Sequence, residues 1–172
     1  MRTTLFALTL FAIALIMPGA SAHPEGSGSS GYATAAGFAP FIVVVPSGSS
    51  VGWEALDLPH TFTEGSVLDS GPRCFNVFLS PSGSASFRLE VVDGATQLQA
   101  YQTALLGWQE CTRAKTQPGL GVVNFFCSIH PWMTGLLVVH DDAVSSASSL
   151  WHDPLVLMEI ERTLGEAAAV TA

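Results

Sequence analysis

The chain has few basic side chains. Of its 172 residues, six are Lys or Arg, against fourteen Asp or Glu. Nucleic acids and anionic lipid surfaces are bound through basic side chains that contact phosphate groups, so the composition argues against both kinds of ligand. An acidic chain favours a protein partner with a basic docking patch, although solubility or adaptation to a salty medium explains the acidity as well.

Long apolar runs are lacking beyond the N-terminus. Residues 1–22 place Arg2 before an apolar stretch from Leu5 to Met17, followed by a Pro-Gly break and a small-residue Ala-Ser-Ala cleavage site. This pattern predicts a secretory signal peptide, and the stretch is shorter than the roughly 20 residues that a membrane-spanning helix needs. We therefore expect export to the periplasm, the extracellular medium or the cell surface, with no membrane span in the mature chain. An uncleaved anchor is the weaker alternative.

Cysteine is scarce as well, with only Cys74, Cys111 and Cys127. In an oxidising compartment free thiols tend to pair, so an odd count leaves one cysteine for another role. If Cys127 binds a metal, Cys74 and Cys111 remain to form a disulfide. A bond between Cys111 and Cys127 is the open alternative, and it would remove the free thiol from Cys127.

Helical periodicity is absent from most of the chain, where short apolar or alternating runs are separated by Gly, Pro and Ser turns. Such a pattern predicts an all-β, Greek-key β-sandwich. The predicted strands lie at 41–45, around Val51 and Trp53, and at 75–79, 85–92, 122–126 and 136–140. We expect a flexible tether at 23–37, which an edge strand could join near its end, a domain at 38–141, and a linker with a helix at 142–172. Residues 95–119 are expected to form an insertion attached through Cys111, as a short helix, an irregular loop or an extra hairpin.

The C-terminal segment has the signals of a helix. Asp153 can cap it and Pro154 occupies its first position. Leu157, Ile160 and Leu164 recur at helical spacing, so we expect them to form the apolar face that packs on the domain. A docking helix for a partner is the alternative.

The most informative stretch is FCSIHPWMTG, residues 126–135, between two predicted strands. It contains a thiol, an imidazole and a thioether at intervals of three residues: Cys127, His130 and Met133. A soft thiolate and thioether with an imidazole suit copper better than zinc, magnesium or calcium, and two histidines, one cysteine and a distant methionine describe a blue-copper site. The second histidine is expected to be His60, which follows Pro59 at the close of an early strand.

The stretches PHTFT and FFCSIHPWMTGLLVV resemble the cupredoxin family, specifically its plastocyanin and amicyanin branch, over residues 36–141. The resemblance implies one type 1 copper ion bound by His60, Cys127 and His130 roughly in a plane, with Met133 at the axial position. Many family members have Asn after the first histidine. Here Thr61 takes that place, and its hydroxyl is expected to hydrogen-bond to the ligand loop.

Four protein ligands leave no open position for a substrate, so we expect electron transfer between a redox donor and an acceptor protein, and no enzymatic activity. His130 is the expected electron port, and Pro59, Pro131 and Trp132 are expected to form an apolar docking rim. For Pro131 and Trp132, ordinary loop packing is the alternative. Other hypotheses are a copper storage or delivery protein, an oxidase built on His23 as the mature N-terminus, and an interaction module that has lost its copper.

Overall fold

Strands dominate the part of the chain that the structure, a computed structural model, describes, namely residues 29–92, 97–102, 107–141 and 147–171. The predicted signal peptide and His23 lie outside the described residues. In chain order the strands are β1 Ser29–Thr34, β2 Gly37–Ala39, β3 Ile42–Pro46, β4 Ser50–Ala55, β5 His60–Glu64, β6 Asn76–Leu79, β7 Ser84–Val91, β8 Leu98–Gln102, β9 Gly107–Glu110, β10 Lys115–Gln117, β11 Leu120–Phe126 and β12 Thr134–His140. The helices are α1 Ala147–Leu150 and α2 Pro154–Thr171.

The strands form two sheets that face each other. The first sheet has the order β2-β1-β4-β7-β8-β9, and the second has the order β3-β12-β11-β5-β6, with β10 added beside β11. Side chains from both sheets, among them Trp53, Phe87, Val43 and Leu137, belong to one buried apolar cluster. The predicted β-sandwich with a C-terminal helix is confirmed.

Aromatic rings fill the space between the two sheets. Phe62 of β5 stacks on Trp53 of β4 with ring centroids 4.0 Å apart, and its ring lies 4.2 Å from that of Phe125 on β11. Each buried ring removes a large apolar area from water, and aromatic pairs typically contribute about 0.5–1.5 kcal/mol beyond that burial. The cluster therefore fixes β5 against β11, the two strands that carry residues of the candidate site.

The second sheet is also covered on its outer face, by α2. Residues of β11, β12, α1 and α2 form a separate buried cluster: Leu120, Val122, Leu136, Val138, Leu150 and Val156. Burial on both faces explains why β11 and β12 are nearly continuous apolar runs instead of alternating ones. Asn124 is the one polar side chain in β11, and the strand continues through it.

Helix α2 begins as predicted but buries a different face. The carboxylate of Asp153 accepts a hydrogen bond from the Leu155 N–H at 2.8 Å, which caps the helix. The expected apolar face is wrong for Leu157 and Leu164, which are 45% and 53% exposed, whereas Ile160 is half-buried and packs against the outer cluster as predicted. The buried positions are instead Val156, Glu159 and Thr163.

A buried polar group on β11 accounts for this rotation of the helix. The side chain of Asn124 points away from the aromatic core and donates to the Thr163 hydroxyl, while its carbonyl oxygen accepts from Arg162. Arg162 also donates to Glu159 at 2.8 Å. A buried amide without partners is costly, so the helix turns its polar side chains toward Asn124.

The N-terminal segment of the sandwich begins earlier than predicted. Residues 29–34 of the expected tether form β1, which lies between β2 and β4 and runs parallel to β4. Gly31 permits this close approach, because a Cβ there would lie 2.9 Å from the indole nitrogen of Trp53. The sequence allowed a strand near the end of the tether, but only at the edge of a sheet, whereas β1 lies inside the first sheet. Strand pairing in the described chain therefore starts at Ser29 instead of Phe38.

The inserted segment forms the extra hairpin that was one of its three predicted forms. β8 and β9 pair antiparallel, with Tyr101 opposite Trp108.

The insertion is attached to the second sheet through a disulfide. Cys111 follows β9 and forms this disulfide with Cys74, with Cα atoms 4.8 Å apart. Glu64, fully buried beside this disulfide, accepts the N–H of Cys74 at 2.6 Å and that of Arg113 at 3.1 Å. The disulfide and the carboxylate together attach the insertion to β5.

Among the described residues, no helix is both long enough and apolar enough to cross a bilayer.

Candidate metal centre

The order of strands in the second sheet brings the candidate ligands to one end of the sandwich. β11 ends at Phe126 and β12 begins at Thr134, so residues 127–133, here called the ligand loop, connect two adjacent antiparallel strands. A Cβ at Gly135 would overlap with the ring of Phe125, so glycine permits this sharp return. β5 pairs antiparallel with β11, and its first residue therefore lies where β11 ends.

That first residue is His60. The prediction that His60 closes the preceding strand is wrong, because β4 ends at Ala55 and β5 begins at His60. Pro59 has no N–H to donate to a strand ladder, which favours a strand that starts directly after it. His60 remains at the predicted end of the sandwich, although on another strand.

Three donor atoms converge there. The Nδ1 of His60 lies 3.2 Å from the Nδ1 of His130, and the Sγ of Cys127 lies 3.8 Å from the former and 3.6 Å from the latter. His60 and Cys127 are fully buried and His130 is half-buried. Cys127 is a free thiol, because Cys74 and Cys111 form the disulfide. The structure thus contains a His-Cys-His cluster suited to a metal ion.

The separations fit a single ion at the centre of the cluster. A metal about 2.0–2.1 Å from two imidazole nitrogens and about 2.3 Å from a thiolate, with the donors spread evenly in one plane, separates the nitrogens by about 3.5 Å and each nitrogen from the sulfur by about 3.8 Å. The distances in the structure are within about 0.4 Å of these values. Two imidazoles and one thiolate in a trigonal arrangement are the donor set typical of blue copper.

Met133, the predicted axial ligand, closes the ligand loop. Its carbonyl accepts the N–H of Cys127 at 3.0 Å, and its N–H donates to the carbonyl of His130 at 2.9 Å. The side chain is 1% exposed and belongs to the same buried cluster as Cys127. The side chain is therefore enclosed in the protein, and it belongs to the same short loop as Cys127 and His130.

Solved structures with a similar fold exist, but the sequence matches no known family model. No curated protein matches it either. A purple cupredoxin from Nitrosopumilus maritimus is similar in structure, with 20% identity, a TM-score of 0.43, and coverage of 64% of this chain and 98% of that one. Amicyanin from Paracoccus versutus is similar with 13% identity, a TM-score of 0.41, and coverage of 70% and 87%. These similar structures are cupredoxins.

Thr61 connects β5 to the ligand loop through its side chain. Its hydroxyl accepts the N–H of Ser128 at 2.7 Å and lies 3.0 Å from the Ser128 hydroxyl. The Thr63 hydroxyl lies 3.1 Å from the same oxygen and 3.0 Å from the side-chain oxygen of Asn76, and it donates its single proton to one of these two acceptors at a time. A chain of hydrogen bonds thus extends from the ligand loop across β5 to β6.

Asp57 is a site residue that the sequence reasoning missed. One of its oxygens lies 3.2 Å from the Nε2 of His60. Hydrogen bonds from the N–H groups of Ala35 and Leu58, and then the His60 ring, lower the pKa of the Asp57 carboxyl from 3.8 to about 2. The signal available in the sequence was an acidic residue three positions before a histidine in a short turn, LDLPH.

The predicted rim is accessible around His130. Pro59 and Pro131 are half-buried, and Trp132 is 45% exposed with its ring 5.3 Å from the His130 ring. Further exposed apolar side chains at this end are Ile129, Leu56 and Leu58. In the described turns here, residues 35–36, 56–59, 80–83 and 127–133, Asp57 is the only charged residue.

Proposed function

We propose that the chain is an exported type 1 copper protein that carries single electrons between a redox donor and an acceptor protein. The observation that supports it most strongly is the convergence of His60 Nδ1, Cys127 Sγ and His130 Nδ1 within 3.2–3.8 Å of one another. Cys127 and His130 lie on the same loop as Met133. We assign the first three as copper ligands and Met133 as the axial ligand. When bound, copper supplies a one-electron couple between Cu(I) and Cu(II).

The protein's own contribution is a rigid and dry set of donors. His60 is fixed at the start of β5, and the ligand loop is fixed between two paired strands, so the donors keep their places without a mobile segment. Burial of His60, Cys127 and Met133 excludes water from the donor atoms. Donors held in place for both oxidation states reduce the rearrangement that accompanies each electron transfer. With four protein ligands no position is left for a substrate, which favours an electron carrier over an enzyme.

His130 is the proposed electron port, since it is the half-buried member of the cluster. Pro59, Pro131 and Trp132 surround it as the docking rim. A small apolar contact of this kind suits a partner that binds weakly and leaves quickly. Because Asp57 is the only charge in the described turns of this end, the partner surface that the rim fits is apolar, and a basic docking patch is not required there.

The segment organisation is proposed in the same way. Residues 1–22 act as a signal peptide and place the mature chain outside the cytoplasm, in the periplasm, the medium or at the cell surface. The disulfide between Cys74 and Cys111 suits such an oxidising compartment.

The decisive experiment is the optical and magnetic-resonance spectrum of the mature protein loaded with Cu(II). We expect an intense blue absorption band that the Cys127→Ser variant lacks. The control variant His152→Gln should keep the band, since His152 is an exposed residue between α1 and α2. A colourless wild type with copper bound would contradict the proposal. Tight Cu(I) binding with transfer of copper to an acceptor, but without reversible voltammetry, would favour copper storage or delivery instead.

A further inference from the structure

The two nitrogens of the His60 ring have different neighbours. Nδ1 faces the other donor atoms, 3.8 Å from Cys127 Sγ and 3.2 Å from His130 Nδ1. Nε2 points the other way and lies 3.2 Å from an oxygen of Asp57. Because the ring is fully buried, the hydrogen bond at Nε2 decides which nitrogen carries the proton and how the ring is turned.

The carboxylate that contacts Nε2 is itself held in place. The oxygen that faces His60 also accepts the N–H of Leu58 at 2.6 Å, and the other oxygen accepts the N–H of Ala35 at 2.9 Å. Ala35 lies in the turn between β1 and β2, so the position of the carboxylate depends on the N-terminal hairpin, residues 29–39. Two backbone donors from separate parts of the chain thus fix the acceptor for the imidazole.

We propose that Asp57 is the positioning residue of the candidate metal centre: its carboxylate accepts the Nε2–H of His60, which leaves the Nδ1 lone pair directed at Cys127 and His130. This inference rests on the proposed copper site and adds a residue outside its four ligands. A carboxylate hydrogen-bonded to a ligating histidine fixes the ring and raises its basicity, and loss of such a partner typically weakens metal binding 10–100-fold.

The charge of Asp57 has a second consequence. A carboxylate near the metal favours the more positive ion, so Asp57 strengthens the binding of Cu(II) more than that of Cu(I). The reduction potential is therefore lower with Asp57 than without its charge. A merely structural role in the turn would change the stability of the protein without changing the balance between the two oxidation states.

The first test uses the full mature chain without metal, at a pH well above the ordinary histidine pKa of about 6.5. Long-range proton–nitrogen NMR spectra report which nitrogen of His60 is protonated. We expect the Nε2–H form in the wild type and in Asp57→Asn, whose amide oxygen can still accept, and a mixture in Asp57→Ala. The control is Glu54→Gln, which removes the charge of an exposed acid near the end of β4.

The second test measures Cu(II) affinity by competition and the reduction potential by voltammetry. We expect the dissociation constant for Cu(II) to rise about 10–100-fold in Asp57→Ala and less than about threefold in Glu54→Gln. Asp57→Asn should keep the orientation of the His60 ring but raise the reduction potential, so it separates the effect of the charge from that of the hydrogen bond. If Asp57→Ala fails to fold, the comparison of Asp57→Asn with the wild type is sufficient to test the proposal.

The outcomes distinguish the two proposals. A His60 tautomer that is the same in all variants, together with a Cu(II) affinity in Asp57→Ala equal to that in Glu54→Gln, would overturn the role of Asp57. Absence of a blue band in the wild type would overturn the proposed function, while the tautomer measurement would still decide whether Asp57 positions His60.

Discussion

The backbone N–H of Thr61 donates a hydrogen bond to the Sγ of Cys127 across 3.2 Å, although the two residues are 66 positions apart in the chain. The hydroxyl of the same residue accepts the N–H of Ser128, the next residue of the ligand loop. One residue of β5 therefore contacts the sulfur with its main chain and the loop with its side chain. The two contacts can be separated by substitution.

Thr61→Val retains the shape of the side chain and the N–H contact with sulfur but removes the hydroxyl. Because the Ser128 N–H then loses its acceptor, we expect the free energy of unfolding to fall by about 1–3 kcal/mol, with the blue band retained. Chemical denaturation and the optical spectrum measure the two effects. Thr61→Ser keeps a hydroxyl and should recover most of the stability. A Thr61→Val protein as stable as the wild type would show that Ser128 finds another acceptor.

Met133→Leu tests the axial assignment. The substitution nearly conserves volume in a fully buried place, so it should cost less than about 1.5 kcal/mol of stability. If the thioether is the axial ligand, its loss should keep the blue colour but change the reduction potential and the spectrum, because the axial ligand tunes both. Met158→Leu is the matched control, since Met158 is 53% exposed on α2. Equal potentials in the two variants would remove Met133 from the ligand set.

The sequence predicted the candidate site better than its surroundings. The spacing of Cys127, His130 and Met133 on one short loop is local, and only His60 had to be found at a distance. It lies at the predicted end of the sandwich even though it begins a strand instead of ending one. The pairing of β5 with β11 brings the distant histidine to the loop, and register between strands is not visible in a single sequence.

Polar contacts between distant residues were the part that the sequence did not predict. Asp57 has the composition of an ordinary turn residue, and its role depends on where Ala35 and His60 lie in space. The helix is a similar case. Its apolar spacing favoured Leu157 and Leu164, but the need of Asn124 for hydrogen-bond partners turned Arg162 and Thr163 inward.

Arg162→Ala tests that account of the helix. The substitution leaves the carbonyl oxygen of Asn124 and the carboxylate of Glu159 without this partner, so we expect a loss of about 1–3 kcal/mol in the free energy of unfolding. Glu161→Ala, at an exposed position one residue earlier, should change stability by less than about 0.5 kcal/mol. Thermal denaturation of both variants measures the difference. Equal stabilities would mean that the helix orientation does not depend on this contact.

Removal of the disulfide should lower the stability of the protein but leave the metal centre nearly unchanged. Cys74 and Cys111 are 37 positions apart, and a loop of that length corresponds to about 4 kcal/mol in the chain-entropy model. We therefore expect the Cys74→Ala, Cys111→Ala double variant to unfold at lower denaturant concentration yet keep the blue band with copper at low temperature. Loss of the band in a protein that is still folded would show that the insertion supports the site directly.

The low charge of the docking rim predicts how the rate of electron exchange depends on salt. In the described turns around His130 only Asp57 is charged, so electron exchange between two copies of the protein through this end should depend weakly on ionic strength in spite of the acidic composition.

The Trp132→Glu variant tests this prediction, because it places a charge beside the proposed port. Repulsion between two such copies should slow self-exchange at low salt. High salt screens the repulsion and should restore part of the rate. Leu164→Glu adds the same charge on an exposed position of α2 and should leave the rate nearly unchanged. Self-exchange rates from NMR line broadening at two salt concentrations decide the question. Equal effects of the two substitutions would mean that electrons do not leave through the His130 end.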